Sequence, residues 1–321
     1  MKVSSLVCKY AVSTHVQRLA LAGLLALGMC AIDPASSNAG TGACRALEQR
    51  YEQIKGAASS IERNSLLFSA ALQDCVALAD VLLKDGASLE ARDRFGNMPL
   101  AIAAREGKLG LVDLFIAHKA NVDARNLEGS TALFLAAENE RAAAAKVLLD
   151  HGADANLPGR SAIAPLGAAA YTGNTELVAA LLAKGAEARA IDATGKSAML
   201  YASGRAYTQV VKQLLDAGVE PNAHYGSDLT ALMWAAGHSE EAGAADIVET
   251  IALLTARGAK LDEKDDRGYT ALMIAAELGH TVAVEKLIAA GADKTLTAKS
   301  GKTAGDLAPD DATRGALGGG K

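Results

Sequence analysis

One landmark recurs along this chain at a fixed step. Gly86-Ala87, Lys119-Ala120, Gly152-Ala153, Gly185-Ala186, Gly218-Val219, Gly258-Ala259 and Gly291-Ala292 lie 33, 33, 33, 33, 40 and 33 residues apart. A second series keeps phase with it: Met98-Pro99-Leu100, Thr131-Ala132-Leu133, Ala164-Pro165-Leu166, Ser197-Ala198-Met199, Thr230-Ala231-Leu232 and Thr270-Ala271-Leu272. The two series share one seven-residue insertion. A period of about 20–50 residues means that supersecondary units stack, since none can bury its apolar face alone.

Residues 265–297 show what one unit does. Asp265-Asp266-Arg267-Gly268 reads as a turn, because glycine supplies the positive φ of a tight reversal. Thr270 is placed to cap a short helix with Leu272, Ala275 and Ala276 on one face. Gly279 breaks it. Val282, Val284, Leu287 and Ile288 then form the apolar side of a second helix that stops at Gly291. The alanine pairs Ala103-Ala104, Ala136-Ala137, Ala169-Ala170, Ala235-Ala236 and Ala275-Ala276 let neighbouring helices approach closely. They explain why a chain that is 50% hydrophobic is only 4% aromatic. Trp234 and Tyr201 share a repeat position with Ile102, Leu135 and Ile274, which predicts core roles for both.

This pattern resembles the ankyrin-repeat family, whose unit is a turn or hairpin followed by two antiparallel helices. The likeness runs from about Asn64 to Ala308, with six full units at 93–125, 126–158, 159–191, 192–224, 225–264 and 265–297. A degenerate leading unit occupies 64–92, a truncated one 298–308, and the Gly-rich stretch 309–321 reads as a flexible tail. The resemblance implies an all-α repeat solenoid of helix-turn-helix units with short β-turn or hairpin tips. The family's Thr-Pro-Leu-His tetrapeptide is complete in no unit. Its His position holds Ala101, Phe134, Gly167, Leu200, Met233 and Met273, so its local Thr–His bonds are missing.

The amino end differs in kind. Lys2, Lys9 and Arg18 accompany a 14-residue apolar run, Leu19–Ile32, and Ser37-Asn38-Ala39 places small residues before Gly40. That length suits a signal-peptide core better than a membrane span, so 1–39 is expected to be a cleaved export signal. The competing readings are a lipid anchor at Cys30, disfavoured by bulky Met29, an uncleaved anchor, and a buried N-terminal helix. Cleavage would remove three basic residues and one acidic one, taking the net charge from −5 to −7. It would also leave only Cys44 and Cys75 of the four cysteines.

Residues 40–63 read as a capping helix and linker. Cys44, Leu47, Tyr51 and Ile54 give the helix an apolar side that could cover the first unit. An oxidising compartment favours a Cys44–Cys75 disulfide stapling cap to stack, stabilising by roughly 3–4 kcal/mol in the chain-entropy model. Two buried thiols are the alternative.

No chemical constellation accompanies the repeats. There is no phosphate-binding loop, nucleophile elbow, His-Glu-x-x-His or Cys-x-x-Cys. His118 and His151 sit one repeat apart, about 8–10 Å, too far for a shared zinc. The Asp262–Asp266 charge cluster lacks calcium-loop spacing. No catalytic residue, metal, cofactor or small-molecule substrate is expected. The negative net charge argues against nucleic acid, and no membrane insertion is expected once the signal is removed.

A partner protein is the expected ligand. Binding in such arrays uses turn tips and the exposed side of the first helices. The tip candidates are Arg94, Phe95, Asn97, Leu127, Glu128, Arg160, Lys196, Arg267 and Tyr269. The first-helix candidates are Arg105, Glu138, Asn139, Tyr171, Arg205 and His238. The expected role is a periplasmic adaptor or modulator. An exported effector acting on a host protein and a passive envelope component are the alternatives. The insertion within 237–257 is expected to lengthen the inter-helix junction, as a tolerated insertion or as a partner-specific loop.

Overall fold

The structure is a computed structural model describing residues 38–237 and 242–318. The chain divides into two units, Met1–Asn38 and Ala39–Lys321, and the repeats lie in the second. The signal reading falls outside the described residues, apart from Asn38 and Ala39, which open the first helix.

That helix, α1 (Asn38–Ile54), precedes a succession of helix pairs: α2 (Ser60–Gln73) with α3 (Val76–Lys84), α4 (Pro99–Glu106) with α5 (Leu109–Ala117), and α6 (Ala132–Glu138) with α7 (Ala142–Asp150). The series continues with α8 (Pro165–Thr172) and α9 (Thr175–Ala183), α10 (Ala198–Gly204) and α11 (Thr208–Asp216), and α12 (Ala231–Gly237) and α13 (Ala244–Ala256). It ends with α14 (Ala271–Glu277) and α15 (Thr281–Ala289), then α16 (Ala304–Leu307) and α17 (Asp311–Ala316). Among the described residues there is no extended strand, only isolated bridges at Ile191–Ser197 and Tyr225–Leu229. The architecture is an all-α repeat solenoid.

Local chemistry sets the helix starts. Thr131, Ser197, Thr270 and Thr303 each accept the N–H of the residue three places on, while Pro99 and Pro165 open their helices where no donor is needed. The alanine pairs of the first helices are fully buried, and Leu111, Phe115, Leu148, Leu177, Leu181, Leu214 and Leu287 fill the space behind them. Side chains bind one unit to the next: Asp123, Asn156, Asn222 and Asp262 accept the backbone N–H of Asp154, Glu187, Lys260 and Asp293 at 2.8–3.0 Å.

Cap and stack are joined covalently by a disulfide between Cys44 and Cys75, with Cα atoms 5.3 Å apart. Tyr51 of α1 is buried, and Cys44, Leu47 and Ile54 pack beside it against the core.

Two expectations need correction. The carboxyl-terminal stretch is ordered through Gly318: Asp310 caps α17, Thr313 and Leu317 are buried, and Lys294 Nζ donates to Leu317 O at 3.0 Å. Asp311–Ala316 thus forms a second helix for the last unit, where the composition had suggested a loose tail. The insertion, for its part, divides: the α12–α13 junction is longer than its neighbours, as expected, with six residues where α10–α11 and α14–α15 have three, and the remainder enters secondary structure. Second helices α5, α7, α9, α11 and α15 have 9 residues, whereas α13 has 13, with its extra turn at the amino end.

Candidate functional site

Between successive helix pairs lie five-residue tips: 93–97, 126–130, 159–163, 192–196, 225–229, 265–269 and 298–302. Each closes by a bond from the N–H of its first residue to the carbonyl of its fifth, at 2.8–3.0 Å. Where the first residue is Asp or Asn, its side chain also accepts the N–H groups of the third and fifth. This occurs at Asp93, Asn126, Asp192 and Asp265. The fourth residue is a glycine with φ of 77–80° in five tips. Ala162 and Asp228 take that place in the other two, and Ser161, Ala162, Ser227 and Asp228 all adopt φ of 55–64°. Those two tips begin with Gly159 and Tyr225, lack the carboxyl or amide brace, and hold consecutive non-glycine residues in the left-handed region. They flank the 192–196 tip.

Most of the expected tip residues are at the surface. Leu127 is 77% exposed and Phe95 51%; Arg94, Glu128, Arg160 and Arg267 are exposed, and Lys196 and Tyr269 half-buried. Asn97, expected at the surface, is buried: it is 3% exposed, donating to Asp93 Oδ2 at 3.1 Å and accepting from Asn126 Nδ2 at 2.9 Å. Its amide is committed to joining two tips. On the first helices, Arg105 pairs with Glu106 at 2.9 Å and Asn139 returns to Leu135 O at 2.8 Å. Glu138 receives Arg160 Nε at 2.7 Å. His238 lies outside the described residues.

The middle of the array gathers several candidates into one cluster. Arg205 lies over the Tyr171 ring, 4.0 Å from its centroid, and Nη2 donates to the Tyr171 hydroxyl at 2.7 Å. Tyr171, 48% exposed, meets Tyr201 edge to face at 5.7 Å. The Tyr201 hydroxyl donates in turn to Asp192 Oδ2. From the same tip, Lys196 Nζ sits 5.4 Å above the Trp234 ring. The contacts run through three units, linking α8, α10, the 192–196 tip and α12.

Electrostatics fix its protonation. Burial alone would raise the Asp192 carboxyl, but donors from Tyr201, Thr194 and the Lys196 and Thr194 backbone outweigh it and hold the pKa below the usual range. Burial pushes Tyr201 up, and the adjacent Asp192 carboxylate adds to the shift. A second group sits on the 265–269 tip, where Arg267 stacks on Tyr269 at 4.2 Å and pairs with Asp265 at 2.8 Å. The Tyr269 hydroxyl donates to Glu277 at 3.2 Å. Burial, then Glu277, raises the Tyr269 pKa.

Repeat position predicts core sites for Tyr201 and Trp234, yet both are half-buried. Ile102, Leu135 and Ile274 fit that position at 3–7% exposure. Both rings are larger than the aliphatic side chains of that column, and the Tyr201 ring is long enough to bring its hydroxyl to Asp192 in the 192–196 tip. Their size and polarity, against three aliphatic neighbours in the column, were the available signal. Beyond Arg205 a groove of about 860 Å³ runs to the extra turn of α13, with Tyr207, Gln209, Asp246 and Glu249 along it. The insertion therefore shapes surface next to the cluster.

Comparison with known proteins agrees with this architecture. The family profile "Ankyrin repeats (3 copies)" matches residues 43–158, 166–252 and 206–298. A "Putative ankyrin repeat-containing protein" of Treponema pallidum (strain Nichols) is 46% identical over 57 residues, 17% of this chain and 19% of that protein. The chain thus matches about a fifth of that relative's length. The crystal structure of the human ASB11 ankyrin repeat domain superposes with a TM-score of 0.62 at 27% identity, covering 69% of this chain and 96% of the other. With the profile spanning most of the stack, the chain belongs to the ankyrin-repeat family.

Proposed function

We propose that this chain is an exported adaptor or modulator that acts in the periplasm by binding one partner protein on its tip and first-helix face. The coarser statement, that it is a protein-interaction module of a family of non-enzymatic scaffolds, follows from family and fold. The observation that carries the finer reading is the Arg205–Tyr171–Tyr201–Asp192 and Lys196–Trp234 cluster. Tyrosine, tryptophan and arginine dominate interface energetics, and here they are ordered before any partner arrives. The two strained tips on either side support the same location, because left-handed non-glycine residues cost about 1–3 kcal/mol each and concentrate at binding sites.

Export is supported by the charge and apolar pattern of residues 1–39 and by the Cys44–Cys75 bond, which suits an oxidising compartment. Affinity capture from envelope fractions tests the binding role. One stoichiometric partner, lost with Tyr171→Ala plus Trp234→Ala while the circular dichroism spectrum is kept, is the expected result. Capture that is indifferent to those changes would move the site elsewhere. Mass spectrometry of the non-reduced protein tests export: an intact Met1 start and free thiols would overturn it.

A further inference from the structure

Backbone bonds link the tips into one continuous edge. Phe95 O receives Leu127 N, Ser161 O receives Ala193 N, Gly195 O receives Gly226 N, Ser227 O receives Asp266 N, and Arg267 O receives Lys299 N, at 2.9–3.2 Å. Ser130 Oγ receives Arg160 N at 3.2 Å and completes the series.

Charge is distributed unevenly between this edge and the second helices. On the second-helix side, opposite charges pair across units: Lys146 with Glu176, Lys184 with Asp150, and Arg257 with Asp216. At the tips, three of the six carboxylates, those of Asp93, Asp192 and Asp265, accept backbone N–H groups of their own turns. Glu128, Asp228 and Asp266 are left exposed at the edge. Against them stand six cations, Arg94, Arg160, Lys196, Arg267, Lys299 and Lys302, on five of the seven tips. Among the described residues, Arg94, Lys196, Lys299 and Lys302 have no carboxylate oxygen within 4.0 Å. Arg94 and Lys196 are instead held over the rings of Phe95 and Trp234. Stacking occupies the face of a guanidinium and leaves its in-plane donors for carboxylates.

We propose that this edge docks an extended acidic segment of the partner protein, an inference that rests on the protein-binding reading above. Neighbouring units stand about 8–10 Å apart, and a chain extended as polyproline II rises about 3.1 Å per residue with three residues per turn, so acids three residues apart share one face and keep step with the tips. The tips carrying Glu128 and Asp228 bear no cation, and a peptide can place a neutral residue there. A nucleic acid, charged at every phosphate, cannot, and the chain's net charge of −5 opposes it as well.

The test is selection of a displayed random 15-residue peptide library on the full chain, followed by fluorescence anisotropy. The probes are the best selected peptide, its Asp/Glu→Asn/Gln counterpart and a 15-nucleotide single-stranded DNA. Selected peptides should be rich in Asp and Glu separated by multiples of three residues. The acidic peptide should bind roughly tenfold more tightly than its neutral counterpart, as expected when several exposed ion pairs act together. That preference should vanish with Arg94→Glu, Lys196→Glu and Lys299→Glu combined, and be halved or better by Lys196→Gln alone. A far-ultraviolet spectrum and thermal midpoint matching the parent show that the variants fold. Enrichment of neutral or basic peptides, or no enrichment at all, overturns the acidic segment and leaves the binding role standing, which the affinity capture above decides separately. A preference that survives charge reversal, or DNA binding as tight as the acidic peptide, also overturns it.

Discussion

The Tyr51 hydroxyl donates a 2.7 Å hydrogen bond to the Asp85 carboxylate, fastening the capping helix to the end of the first helix pair. Burial, then Asp85, pushes the Tyr51 pKa from 10.0 up to about 12. The bond from Tyr51 holds Asp85 below its ordinary 3.8, with Lys55 at 3.4 Å adding to the effect. The tyrosine contribution is therefore whole below pH 10 and lost as pH rises through about 12. The aspartate contribution is whole above its ordinary 3.8 and lost as pH falls through its lowered folded value. Thermal midpoints measured against pH should fall at both extremes, and Tyr51→Phe should flatten the alkaline limb. An unchanged alkaline limb in Tyr51→Phe would show that the bond contributes nothing there.

The disulfide closes a loop with a sequence separation of 31. Cys75→Ser should lower the stability of the oxidised protein by roughly 3–4 kcal/mol in urea denaturation, the chain-entropy value for a loop of this size. Reductant should bring the parent protein close to the variant. Identical midpoints with and without reductant would remove the staple from the account.

Lys119 stands where six other units place glycine, and it takes φ of 66° there. A side chain in that region is strained by its own backbone. Lys119→Gly should stabilise the protein by about 1 kcal/mol, the preference for glycine just past a helix end. Calorimetry checks the sign, which is opposite to that of most substitutions.

Gly159 has ordinary φ, and its requirement is spatial. A Cβ there would come within 2.2 Å of the Phe134 ring, which is itself fully buried. Gly159→Ala should cost about 1–3 kcal/mol, the usual penalty for overpacking a closed site. Pairing it with Phe134→Leu should recover part of the loss; if the two costs simply add, the contact is not the cause.

Tyr171→Ala separates stability from recognition. Its contact with Arg205 at an exposed site is worth about 0.5–1 kcal/mol, so unfolding should change little. Partner affinity should drop by roughly 30-fold if Tyr171 is a hot spot. A loss confined to stability would mean that the ring serves only the stack.

Much of this architecture could be read from the repeat. Thr131, Thr270 and Ser197 announce their helices through short-range chemistry, and the glycine landmarks give the unit length, because both depend on neighbours within one turn. The tip partners could not be read in the same way. Asn97 looked like an exposed turn residue because its partner, Asn126, is 29 positions away and the direction of its amide is not encoded by spacing. Tyr201 looked internal for the complementary reason: its column position says buried, and only the length of the ring carries its hydroxyl out to Asp192. Composition misjudged the last unit, since glycines at 315 and 318 hid the cap at Asp310 and the burial of Leu317.

A stack of near-identical units carries a degeneracy, in that one unit can be mistaken for its neighbour during folding or in a swap between copies. The extra turn of α13 acts as a dislocation in this lattice. Sliding the chain by one unit would seat a 13-residue helix in a berth shaped for 9. The insertion thereby gives the array a reference mark, so that its units can be counted from a fixed origin.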